Sequence, residues 1–163
     1  MLRDAGITCL VDVRAIPRSR RHPQFNSDHL ARSLSEAGIE YHHNPSLGGR
    51  RSARKGVASR NTLWRVAAFR NYADYAETAT FAEALSELER LARDHSTAYM
   101  CAEAVWWRCH RRLITDYLLV RGWHVIHLLA PGQQEPASLT PGAVPHDDGT
   151  IEYAPSSAQP RLI

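Results

Sequence analysis

The 163-residue chain has no apolar run of the roughly 18 to 20 residues that a membrane-spanning helix needs. The N-terminal stretch MLRDAGITCLVDVRAIP does not form a secretory leader core either, because Asp4 and Asp12 interrupt it. Cysteine is scarce. Cys9, Cys101 and Cys109 are an odd set, and any disulfide framework would leave one over, so reduced thiols in a cytoplasmic protein are expected. No segment repeats at a solenoid period. Neither sign of charge dominates, with Lys+Arg 20 against Asp+Glu 17, so where charge clusters matters more than its sum.

The length suits one domain with a real core. In GITCLVDVRAIP, Ile7, Cys9, Val11 and Val13 alternate with Thr8, Leu10 and Asp12, which predicts a strand covered on both faces and ended by Pro17. NSDHLARSLSEAGI carries a cap signal at Ser27 or Asp28, an apolar stripe of Leu30, Leu34 and Ala37, and a stop at Gly38. IEYHHNP reads as a second strand. The segment from Leu47 to about Val66 is rich in Gly, Ser and Arg without apolar periodicity, and is expected to be a long, mobile, basic loop. FRNYADYAETATFAEALSELERLARD predicts two helices broken near Thr78 to Thr80, the second burying Phe81, Leu85, Leu88 and Leu91.

STAYMC reads as a third strand, VWWRCHRRLITDYLLVRG as a helix closed by Gly122, and WHVIHLL as a fourth strand. This alternation predicts an α/β fold: one three-layer domain, a mostly parallel sheet of about four to five strands, and helices on both faces. The α/β domain is expected over 1–130. A Pro- and Gly-rich extension with a small hairpin near Asp148 and Gly149 follows over 131–155, then a flexible tail over 156–163.

The stretches VDVRAIPRSRRHPQFN, YHHNPSLGG, FRNYADY and CAEAVWWRCHRRLI occur in that order. Together they closely resemble the bacterial domain of unknown function 488 (DUF 488) family, from about Ala5 to about Pro155, since LTPGAVPHDDGTIEYAP also looks like the family's tail. The resemblance implies a fold and the position of a site, but no reaction. It also implies an earlier strand, a Thr-x-Gly-His-Ser-like turn and a helix, and this chain would start within that helix at MLRDAGI.

Ligands of open α/β sheets lie beyond the carboxyl ends of the strands. Three such ends carry polar groups: Asp12 and Arg14 in VDVR, Cys101 and Glu103 in YMCAE, and His43 with Gly48 and Gly49 in YHHNPSLGG. Asp12 would orient Arg14 or a histidine, or hold a metal, or simply accept neighbouring backbone amides. Arg14, Arg18 and Arg20 suit an anion, because a guanidinium fork matches paired oxygens. Gly48 and Gly49 provide a turn, with their amides offering anion contacts. His42 and His43 point to opposite faces of a strand, and His43 is the one nearer the site.

On a helix centred near Leu113 and Tyr117, Trp106 and His110 fall in the apolar stripe and Cys109 at its edge, with Arg111 at a flank and Arg108 and Arg112 opposite. Arg112 and Asp116 then form a surface i,i+4 pair. His110 is either a satisfied core histidine or a proton-transfer group. Cys101 is either a small buried residue or a nucleophile, and Cys109 is a ligand-binding candidate beside Arg111. The stretch from Cys101 to Arg108 lacks the glycine that a cysteine-phosphatase loop needs. Glu103 orients arginines or caps the following helix. The spacing of Cys101, Glu103, Cys109 and His110 matches no structural zinc pattern, and no cofactor is identifiable.

Arg50, Arg51, Arg54, Lys55 and Arg60 line residues 50–60 without an acidic residue or an aromatic for base stacking. The leading expectation is a protein that binds, and processes by hydrolase or transferase chemistry, a small phosphate-bearing or other anionic ligand. His110, Asp12, Glu103 and Cys101 would serve the chemistry, and Arg14, Arg18, Arg20, His43, Gly48, Gly49, Cys109 and Arg111 the binding. The alternatives are a nucleic-acid accessory protein using residues 50–60, and a shortened domain without activity.

Overall fold

Strand β1 (Cys9–Asp12) is buried at every position because its alternate side chains serve two cores. Cys9, Val11 and the following Val13 join a large cluster with Tyr72, Phe81, Leu85, Leu113, Ile114 and Tyr117, whereas Leu10 joins a smaller one with Leu34 and Ile39. These contacts put α1 (Ser27–Glu36) over one face of the sheet, and α2 (Ala67–Ala76), α3 (Ala79–Asp94) and α4 (Arg111–Val120) over the other. The computed structural model describes residues 1–155; the tail expected over 156–163 lies outside them. No helix among the described residues is long and apolar enough to cross a membrane.

β1 pairs in parallel with β2 (Glu40–His43) and with β3 (Thr97–Met100), giving the order β2-β1-β3. The register sets Asp12 beside His43 on one side and Met100 on the other, so the three strands reach their carboxyl ends at one level. The parallel sheet therefore has three strands rather than four or five. WHVIHLL does form β4 (Ile126–Ala130), but it pairs antiparallel with β5 (Gln133–Pro136). A groove of about 430 Å³ is lined by residues of both β3 and β4.

Helix ends follow local chemistry. α1 is preceded by Asn26 at its N-cap, not Ser27 or Asp28, and the Asn26 side chain is turned away to accept from the Ser19 amide. Its far end closes on Gly38, whose φ of 72° lets the amides of Gly38 and Ile39 reach the carbonyls of Ser35 and Leu34. Thr78 separates α2 from α3 and accepts from the Phe81 amide.

The largest departure from the sequence reading lies ahead of α4. Trp106–Arg108 form a 3-10 turn and Cys109 is extended, so the helix begins at Arg111. Tertiary contacts override the helical pattern here: Trp106 stacks on His127 with ring centroids 3.9 Å apart and donates to Glu135. Trp106 is therefore half-buried on this second contact rather than in the α4 stripe.

Residues 131–155 contribute to the core. β6 (Ala143–Pro145) and β7 (Ile151–Tyr153) form an antiparallel hairpin, and Ile151 and Tyr153 are fully buried in the large cluster. Asp116 is not in a surface pair with Arg112. It is 1% exposed and accepts from the Thr140 amide at 2.8 Å and the Tyr153 hydroxyl at 2.9 Å, while Arg112 donates to the Thr140 hydroxyl. Tyr153→Phe is expected to cost about 1.5–3 kcal/mol in urea denaturation, as for a hydrogen bond to a charged group.

Burial raises the Asp116 pKa above its ordinary 3.8 in the folded state. The folded chain thus holds the Asp116 proton more tightly than the unfolded chain. Its stabilising contribution is complete below that value and is lost as pH rises through the raised one. Relative to Asp116→Asn, the wild type is expected to lose urea resistance as pH climbs from 3.8 through that window.

Candidate functional site

At the carboxyl end of β1 the chain buries a charge pair. The Asp12 carboxylate is fully covered and accepts from the Arg14 amide, from Arg14 Nε and Nη2, and from the Tyr41 hydroxyl at 2.8 Å. Arg14 Nη2 also donates to the Phe25 carbonyl, and His43 Nε2 donates to the Arg14 carbonyl, each at 2.8 Å. These bonds fix the loop after β1 against β2 and the 3-10 turn Pro23–Phe25. The Asp12 hydrogen bond raises the Arg14 pKa, and burial raises that of Tyr41.

Above this pair opens a groove of about 520 Å³. Its lining gathers Arg14 and Arg18 from the loop after β1, Gly49 and Arg50 from the loop after β2, and Cys101 and Glu103 from the loop after β3. Arg108, Cys109 and His110 enter from the segment before α4, and Phe69 and Tyr72 from α2. Arg18, Arg50 and Arg108 are exposed, and none has an ion-pair or hydrogen-bond partner among the described residues.

Cys101 and Cys109 lie with their sulfurs 2.8 Å apart. The Glu103 amide points at Cys101 Sγ (3.2 Å), the Arg111 amide at Cys109 Sγ (3.4 Å), and His110 Nδ1 lies 3.4 Å from Cys109 Sγ. The Cys101 hydrogen bond lowers the Cys109 pKa, and the same contact, with burial, raises that of Cys101. The two thiols therefore differ in acidity, Cys109 being the more acidic. The His110 ring packs against Tyr72 with centroids 5.1 Å apart, and its Nε2 is buried without a partner among the described residues.

Gly49 makes room for that ring. A Cβ there would lie 2.4 Å from His110 Nδ1, and one on Gly48 would lie 2.9 Å from the Ala15 amide nitrogen and the Pro45 carbonyl oxygen. Gly48 and Gly49 therefore serve close approach rather than a left-handed turn.

Cys101 Sγ, Cys109 Sγ and a His110 ring nitrogen all lie within 4.8 Å of one another, a donor set suited to a soft cation. Tetrahedral zinc with bonds of about 2.3 Å needs sulfurs roughly 3.7 Å apart, so this pair would have to open by about 1 Å.

Several sequence expectations change position. Asp12 lies beneath the groove and holds Arg14 instead of lining it. His43 is tied to the Arg14 carbonyl, and Arg20 is exposed and outside the lining. Arg111 donates to the Glu103 carbonyl at 2.7 Å and faces the groove between β3 and β4. Glu103 does not cap α4, whose first turn starts eight residues later. Arg108, placed opposite by the helical reading, lines the groove because the 3-10 turn replaces the helix.

Sequence reasoning missed Phe69 and Tyr72 as groove walls, and read Arg50 as part of a basic rim formed by the loop over 50–60 with Arg18, Arg20 and Arg21, of which only Arg50 and Arg18 line this groove. The FRNYADY motif, which carries Phe69 and Tyr72, was the available signal. The loop over 50–60 has no helix or strand but is tied down. Arg51 donates to the carbonyls of Pro45, Ser46 and Gly48, Arg54 and Arg60 pair with Glu77, and Asn61 beside it is fully buried.

The fold and groove define an α/β protein with a ligand-sized cleft at the carboxyl ends of three parallel strands. A family model described as "Domain of unknown function DUF488" matches residues 1–118, and the chain belongs to that family. The comparisons with curated proteins and with solved structures returned no match.

Asp12→Ala is expected to destabilise the fold by about 3–5 kcal/mol in chemical denaturation, because it leaves the Arg14 charge buried without its partner. Gly48→Ala should cost more than Gly49→Ala in the same assay. The Gly48 methyl meets backbone, whereas the Gly49 methyl meets a side-chain ring that can rotate.

Proposed function

We propose that the groove binds a small anionic ligand bearing a phosphate or similar oxyanion group. The observation that carries this reading is the convergence of Arg18, Arg50 and Arg108, without partners of their own among the described residues, on one cleft. Guanidinium groups left without counter-ions around a partly enclosed cleft favour an anion there, and each charge-assisted bond is stronger than a neutral one. Arg14 is pre-aligned by Asp12 and adds a guanidinium at the wall whose charge that carboxylate offsets.

His110 is the one imidazole on the lining, so proton transfer to a bound ligand would fall to it. Hydrolase or transferase chemistry on such a ligand is compatible with this arrangement, and binding is the part that the geometry supports. A nucleic-acid surface along residues 50–60 is weaker, because Arg51, Arg54 and Arg60 already bond within the protein.

Isothermal titration of the reduced protein with phosphate, pyrophosphate and AMP tests the reading. Binding that weakens with salt is expected for at least one probe, and Arg18→Ala or Arg108→Ala should each weaken it about tenfold. No heat with any of the three at millimolar concentration, or binding untouched by both variants, would overturn it.

A further inference from the structure

We propose that Cys101 and Cys109 form a reversible disulfide, so that the floor of the groove is a two-electron redox site reacting with small hydroperoxides. The inference does not depend on the groove's binding an anion.

Its basis is the sulfur separation of 2.8 Å, well inside the roughly 3.5–4 Å of ordinary non-bonded contact and within about 1 Å of a disulfide bond. Neither cysteine lies within a strand or helix of the sheet's layers, so closing that gap would not break a strand pairing or a helix turn. Cys101 follows the end of β3 and Cys109 precedes the start of α4, and only the 3-10 turn Trp106–Arg108 lies between them. The third thiol takes no part, because Cys9 is fully buried within β1.

The surroundings suit a reactive thiolate. The Arg111 amide and His110 Nδ1 both face Cys109 Sγ, and the Glu103 amide faces Cys101 Sγ. Cys109 Sγ thus has two nitrogens facing it, whereas Cys101 Sγ also faces the Glu103 carbonyl at 3.8 Å. Both cysteines line the groove, which admits a molecule as small as hydrogen peroxide. The close sulfurs also favour a disulfide over a zinc ion, which would have to push them apart.

The chemistry balances in two steps. The Cys109 thiolate attacks one peroxide oxygen; the S–O bond forms, the O–O bond breaks, and the departing hydroxide takes a solvent proton to become water. The Cys101 sulfur then attacks the Cys109 sulfenic sulfur; the S–S bond forms, the S–O bond breaks, and hydroxide leaves with the Cys101 proton as a second water. The two thiols lose two electrons and the peroxide gains them. Exchange with an external dithiol restores both thiols.

The test treats the reduced full chain with one equivalent of hydrogen peroxide, then alkylates free thiols under denaturing conditions for mass spectrometry. Reactive thiols are expected to fall from three to Cys9 alone, with a loss of about 2 Da before alkylation. Tryptic cleavage after Arg108 separates the two cysteines, so the bond should appear as a cross-linked peptide pair. Cys101→Ser should accumulate a sulfenic acid on Cys109 that dimedone traps, whereas Cys109→Ser should give no such adduct on Cys101. Three thiols surviving peroxide, a disulfide only between two chains, or stoichiometric zinc protecting both thiols from peroxide would each overturn the proposal.

Discussion

The buried pair of Asp12 and Arg14 is the constraint on which the candidate site depends. A fully covered carboxylate at a strand end is costly unless it is neutralised and hydrogen-bonded, and here the donors come from β2 through Tyr41 and from the loop after β1 through the amide and guanidinium of Arg14. Satisfying that one group fixes how the loop leaves the sheet. Arg14 is held at the groove wall, its guanidinium anchors the Phe25 carbonyl, and its own carbonyl anchors His43. A hydrophobic pair of similar size could stabilise the fold equally well, but it would place no cation at the wall.

From that wall the groove is assembled out of short loops that share one level because the three strands end in register. Positive groups surround the rim, and the floor holds a thiol pair with an imidazole beside it. Glycine at position 49 is what allows the loop after β2 to lie against the His110 ring. The two chemistries are separable in principle. The proposed anion binding would rest on the charge of the arginines and the proposed redox step on the paired sulfurs, and neither uses the other's atoms.

Much of this was legible in the sequence, and the reasons are specific. Alternation in ITCLVDV marked β1, and the spacing of Phe81, Leu85, Leu88 and Leu91 marked the buried face of α3. The rule that ligands lie beyond strand ends pointed to Arg14, Cys101 and Glu103, which line the groove, and to Asp12, which lies beneath it. What failed was the segment from Val105 to His110. Its apolar spacing fits a helix, but Trp106 is recruited by His127 and Glu135, residues distant in sequence, and periodicity carries no trace of that contact. The same error put Arg108 on the wrong side and hid the approach of Cys109 to Cys101. Asp116 was misread for a related reason, since its partners Thr140 and Tyr153 lie beyond α4 in an extension whose packing no local pattern announces.

The central claim is that these strand ends make one anion-accepting cleft, and a crystal soaked in tungstate tests it most directly. The account predicts a strong anomalous peak within hydrogen-bonding reach of Arg18, Arg50 and Arg108, above the Asp12–Arg14 pair. A cleft that stays empty while tungstate binds elsewhere on the surface would contradict it.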